Sequence, residues 1–126
     1  MARTSYIDNL ALADQYLVHV RALLEQRGEW DSSTVVVMGD QSWRTKRNWV
    51  GTPQWTSQDQ LASRGGQFDD RPAYIDKLRG QQVGATIDTR YEAIRTRALL
   101  DEYLTEKMHT VEELREWVAA AISKPS

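Results

Sequence analysis

The sequence contains no cysteine, which excludes disulfide bonds, thiolate metal sites and a cysteine nucleophile. Histidine is nearly as scarce, because His19 and His109 are the only two, and this excludes a His-rich metal site. Long apolar runs are missing too: the longest strongly apolar run is Val35–Met38, whereas a membrane-spanning helix needs about 20 apolar residues. No apolar run follows residues 1–5, so we expect no secretory signal, no membrane partner and a cytoplasmic protein.

Charge of one sign is not in excess either. The 126 residues include 16 lysines and arginines and 18 aspartates and glutamates, which gives a net charge of −2. This balance argues against a general electrostatic attraction to DNA or RNA, and we expect no nucleic-acid partner. Apolar residues at 40% and charged residues at 27% are typical of a folded protein rather than a disordered one. The length suits a single domain over residues 1–126.

The spacing of apolar residues predicts both helices and strands. Apolar residues recur at steps of three and four from Ile7 to Leu24, which predicts a helix over 6–27 that ends in a left-handed Gly28. The run Thr34–Met38 is apolar without alternation, which is typical of a strand buried on both faces in a parallel sheet. The other predicted elements are a long loop over 40–71, a strand over 73–78 and helices over about 91–104 and 111–122. We therefore predict an α/β fold: a partial, mainly parallel sheet of few strands flanked by helices, with a long loop after the first strand.

Polar residues follow the first predicted strand at once, and Asp40, Gln41 and Arg44 are the candidates among them. Ligands of open α/β sheets bind beyond the carboxyl ends of the parallel strands, so this segment is the predicted site. Arg44 is a candidate for binding an anionic oxygen through its fork of donors. The alternatives are an ordinary turn aspartate at position 40 and a solvated arginine at position 44.

The order of a helix, the stretch "RGEWDSSTVVVMGDQSWRT", a long polar loop and a strand resembles the C-terminal part of the sulfatase-like members of the alkaline phosphatase superfamily. In that family, a motif like "L…RG.WD.T.VVV..DH" ends a helix, and a buried strand then delivers an Asp-His pair to a metal centre. The stretch "FDDRPAYIDKLRGQQVG" looks like the family's last core strand, and "TRALLDEYL…T.EEL..WV" looks like its terminal helices. The resemblance covers about residues 7–120 and implies a metal-dependent hydrolase of sulfate or phosphate esters.

The resemblance implies that Asp40 is a metal ligand, and that Gln41 stands where the family has its metal-binding histidine. A glutamine carbonyl either binds calcium or magnesium, which it suits better than zinc, or only makes a hydrogen bond. The family's nucleophile and first acidic ligands lie in an N-terminal half that we expect this chain to lack, so no catalytic residue is assigned. One carboxylate and one amide are too few ligands for tight binding, so we expect any divalent metal ion to bind weakly or not at all to the isolated chain.

Two functions stay open at this point. The first is the C-terminal segment of a sulfatase-like, metal-dependent sulfate or phosphate ester hydrolase, which we expect to be inactive alone. The second is a non-catalytic protein-interaction module built from the same α/β piece, because strands without a first half leave sheet edges for self-association or for a partner chain to cover. A nucleic-acid interface built on "WRTKRNW" is disfavoured, because that basic cluster is short.

Overall fold

The computed structural model describes residues 6–39, 52–53, 55–65 and 71–120, and 50% of these residues are helical. The elements in these ranges are, in chain order, α1 (Tyr6–Gln26), β1 (Val35–Met38), α2 (Ser57–Ala62), β2 (Tyr74–Lys77), a 3-10 turn (Ala93–Arg95), α3 (Thr96–Leu104) and α4 (Val111–Ala120). The short helix α2 lies within the segment for which the sequence predicts a loop over 40–71. None of the described helices is both long enough and apolar enough to cross a membrane.

The two strands pair antiparallel, and they form a two-stranded sheet within the described ranges. At one end of the sheet, the N–H of Gly39, which follows β1, donates to the carbonyl of Ala73, which precedes β2, at 2.9 Å. The prediction of a mainly parallel sheet flanked by helices is therefore wrong. An apolar run without alternation indicates a parallel strand only where helices cover both faces. In β1, the three valines are only half-buried and Met38 is exposed.

The chain divides into two compact units. The first unit comprises Met1–Trp30 and Val36–Ile75, and the second comprises Asp31–Val35 and Asp76–Ser126. Because one domain can contain two such units, the single domain over 1–126 stays a prediction.

The two units differ in what they bury. The buried apolar side chains of the described residues all lie in the second unit, and they are Leu78, Leu99, Met108, Leu114 and Val118. Leu99 belongs to α3, and Leu114 and Val118 lie four residues apart on one face of α4. In the first unit, the fully buried described side chain is a carboxylate, Asp59. The second unit therefore has an apolar core of its own, whereas the described part of the first unit is organised around a polar residue.

The end of α1 is set by a glycine, as the sequence predicts. Gly28 has φ of 68°, a left-handed conformation that residues with a Cβ adopt only at a cost. Its N–H donates to the carbonyl of Glu25 at 3.0 Å, and the N–H of Glu29 donates to the carbonyl of Leu24 at 2.8 Å. This pair of bonds is the Schellman arrangement, which satisfies carbonyls left open at the helix end. The chain can therefore turn from α1 toward β1 within eight residues, 27–34.

Candidate functional site

The three residues that the sequence predicts as a site, Asp40, Gln41 and Arg44, lie outside the described residues. Their roles in binding a metal or an anion therefore stay predictions. What the structure describes is the part of the chain that leads to them, from the end of α1 through β1 to Gly39.

The entry to β1 is held by Lys77, which belongs to β2. Its ammonium Nζ donates to the carbonyl of Ser33 at 2.8 Å and to the carbonyl of Asp31 at 3.4 Å. The same Asp31 carbonyl accepts the N–H of Gly80 at 2.6 Å. A lysine that binds backbone carbonyls of the turn before β1 stabilises the point at which the strand begins, because buried carbonyls need hydrogen-bond donors. Sequence reasoning missed this role, since Lys77 and Ser33 are far apart along the chain.

A metal centre has no counterpart in the described ranges. No group of three or more histidine, aspartate or glutamate side chains within them could hold a metal ion. His19 is exposed on α1, and His109 is exposed just before α4.

The described residues do contain one carboxyl group with a clearly shifted pKa, Asp76 on β2. Burial raises the pKa of Asp76, and a hydrogen bond from the Tyr103 hydroxyl to Oδ2 lowers it by less, so that the net shift is upward. The other oxygen, Oδ1, is buried and has no hydrogen-bond partner among the described residues. The buried environment of Asp76 therefore favours the protonated form of its carboxyl group more than an aqueous environment does. In the sequence, the signal for this group is an aspartate inside an otherwise apolar strand. That pattern alone indicates only a strand at the edge of a sheet.

A second polar cluster surrounds Asp59 in the first unit. Its Oδ1 accepts the N–H of Ile7, in the first turn of α1, at 3.0 Å. Its Oδ2 accepts the N–H of Thr56 at 3.0 Å and the Thr56 hydroxyl at 2.9 Å, and the Asp59 N–H donates back to that hydroxyl at 3.1 Å. One carboxylate thus satisfies donors at the starts of both α1 and α2, where helix dipoles favour negative charge. The role of Asp59 is therefore structural: both of its oxygens already accept hydrogen bonds, and these connect the start of α1 to the start of α2.

Arg95 forms an aromatic cluster in the second unit. Its guanidinium carbon lies 4.3 Å from the ring centre of Trp117 and 5.5 Å from that of Tyr91. The same guanidinium donates to the carbonyls of Trp117 and Val118 at 3.4 Å each. Positive charge near the C-terminal end of a helix is favourable, so this contact stabilises the last turns of α4. The cluster therefore joins the 3-10 turn to the C-terminal end of α4.

One side of α1 carries a group of exposed apolar residues. Five large side chains there are exposed, with Tyr16 68% accessible, and they are Leu10, Leu12, Tyr16, Leu17 and Leu23. With 3.6 residues per turn, they lie within an arc of about 160° around the helix. We call this arc the apolar face of α1. Val20 and Leu24 lie within the same arc and are half-buried.

Comparisons with protein-family models, with curated proteins and with solved structures gave no match to this chain. The resemblance to sulfatase-like hydrolases therefore rests on the residues quoted above, and it stays a prediction.

Proposed function

We propose that this chain is the C-terminal segment of a sulfatase-like, metal-dependent hydrolase of sulfate or phosphate esters, and that it is inactive by itself. The observation that carries the proposal is the local order of helix, glycine turn and strand. The motif residues of the resemblance coincide with the end of α1, with Gly28 and with β1, and Gly39 leads directly into Asp40. In such an enzyme, a divalent metal ion would neutralise the anionic oxygens of the ester, and Asp40 would be one of its ligands.

The chemistry explains why no activity is expected from the chain alone. Cleavage of a sulfate or phosphate ester needs a nucleophile, a cation and a group that stabilises the leaving oxygen. Asp40 and Gln41 supply two oxygen ligands at most, and Arg44 supplies donors for an anionic oxygen. None of these residues is a nucleophile, so the remaining groups have to come from another polypeptide segment.

Two measurements test this proposal. The DNA upstream of the start codon should contain a reading frame that encodes a nucleophile motif and acidic ligands, and its absence would refute the proposal. The purified chain, mixed with aryl sulfates, aryl phosphates and divalent metals, should show no turnover. Turnover that scales with protein concentration and is lost in Asp40→Ala, but not in the control variant Asp88→Ala at an exposed position, would show that the chain is an enzyme on its own.

A second function, a non-catalytic protein-interaction module, is favoured by a different observation. The apolar face of α1 is exposed, and the described first unit buries no apolar side chain fully. Exposed apolar surface of this kind marks sites where another chain binds. We therefore keep self-association or a partner chain as part of the proposal, together with a cytoplasmic location, which cell fractionation would test.

A further inference from the structure

The apolar face of α1 has the repeat of a helix that pairs with another helix. Leu10, Leu17 and Leu24 are spaced by seven residues, and Ala13 and Val20 lie between them at steps of three and four. This spacing is the heptad seam through which two helices pack. With 21 residues, α1 is about 32 Å long at 1.5 Å per residue, which is the length of three heptads.

Opposite charges flank this seam on one side only. Asp14 and Arg21 are both exposed, and they lie on the same flank, seven residues apart. They cannot pair within one helix, because seven residues span about 10.5 Å along the axis. The other flank carries Tyr16 and Leu23, which are apolar and exposed. Arg21 Nε donates to Glu25 at 2.8 Å, and the guanidinium carbon lies 4.9 Å from the ring centre of Trp30, so a pair with Asp14 of the second copy would use the terminal nitrogens of Arg21.

The charges distinguish between the two ways of pairing α1 with a second copy. In a parallel pair, the charged flank of one helix faces the Tyr16 and Leu23 flank of the other, and the charges gain no partner. In an antiparallel pair, like flanks face each other. Asp14 then lies opposite Arg21 of the second copy, the reverse pair forms by the two-fold symmetry, and Leu17 packs against Val20 of the second copy.

We propose that α1 is a self-association surface, on which two copies of this chain pair their α1 helices antiparallel through the apolar face. The occupant is a second copy because the flanking charges are complementary to themselves in that orientation and in no parallel one. The proposal stands on α1 alone, so it does not depend on whether the chain belongs to a hydrolase.

Sedimentation equilibrium of the full chain tests the surface. The wild type should show a monomer–dimer equilibrium, and Leu17→Glu should raise the dimer dissociation constant by about a hundredfold or more, because two buried leucine contacts are lost per dimer. The matched control is Val18→Glu, one residue away, where an exposed apolar side chain is turned by about 100° out of the seam. Val18→Glu should leave the dissociation constant unchanged.

Charge exchange at two exposed positions tests the orientation of the pair. Asp14→Arg and Arg21→Asp should each weaken the dimer about tenfold, since two attractive pairs become repulsive. The double variant Asp14→Arg/Arg21→Asp should restore wild-type association. A monomeric wild type, an assembly larger than a dimer, equal effects of Leu17→Glu and Val18→Glu, or a double variant as weak as the single ones would each overturn the proposal.

Discussion

Replacing Asp59 by asparagine tests whether one buried carboxylate joins α1 to α2 in the first unit. The side chain is 0% exposed, and its two oxygens accept hydrogen bonds from the Ile7 N–H, the Thr56 N–H and the Thr56 hydroxyl. Asparagine has the same shape, but one oxygen becomes an NH2 group that can only donate. Whichever way the amide turns, that NH2 group faces at least one backbone N–H.

The magnitude follows from these contacts. A hydrogen bond to a charged group contributes about 1.5–3 kcal/mol, and a buried N–H without an acceptor costs about 1–3 kcal/mol. Asparagine keeps one acceptor, so we expect Asp59→Asn to lower the free energy of unfolding by about 2–3 kcal/mol. Asp59→Ala removes both acceptors and leaves the N–H groups of Ile7 and Thr56 without this carboxylate, so we expect a loss of about 4–5 kcal/mol.

Urea unfolding followed by far-ultraviolet circular dichroism measures these differences, because α1 and α2 contribute to the helical signal. Asp88→Asn is the matched control, since it makes the same chemical change at an exposed position. The double variant Thr56→Val/Asp59→Asn should lose less than the sum of the single variants, because both change the same contacts. If Asp59→Asn is as stable as Asp88→Asn, or if the effects in the double variant are strictly additive, the Asp59 carboxylate does not hold α1 and α2 together.

Two further predictions concern the second unit. Because burial holds the folded-state pKa of Asp76 above its unfolded value, the stability from this group is fully present at low pH and is lost as pH rises through the raised pKa. Asp76→Asn should therefore gain stability relative to the wild type over that pH rise, whereas a difference between their urea midpoints that does not change with pH would contradict the raised pKa. Arg95→Lys keeps the charge but loses the planar stacking on Trp117 and Tyr91, so thermal melts should show a loss of about 1 kcal/mol, and about 2 kcal/mol for Arg95→Ala. An Arg95→Lys variant as stable as the wild type would show that the stacking contributes nothing.

The features that the sequence predicts correctly are local ones. Gly28 ends α1 because a left-handed residue is needed there, and glycine is the residue that adopts it most easily. Thr110 and Glu113 have the three-residue spacing typical of a helix cap, and the Thr110 hydroxyl accepts the N–H of Glu113 at 3.1 Å at the start of α4. Both signals lie within a few residues of the structure that they specify.

The features that the sequence misses join residues far apart along the chain. The direction of β2 against β1 depends on the path of the residues between them, and the composition of neither strand records it. The contact between Asp59 and Ile7 spans 52 residues, so the pattern around either residue gives no sign of it. Likewise, the periodicity of α1 predicts which residues share a face, but it does not predict whether that face is covered.

The antiparallel pairing of β1 and β2 bears on which residues could act as metal ligands together with Asp40. In a parallel sheet, the residue after β1 would lie at the same edge as the residues after the neighbouring strands, and these would complete a ligand set. Here, Gly39 is hydrogen-bonded beside Ala73, so the chain leaves β1 at the end of the sheet where β2 begins. Because the strands are antiparallel, the chain leaves β2 after Lys77 at the opposite end of the sheet. The analogy with a parallel sheet therefore supplies no further ligand for Asp40.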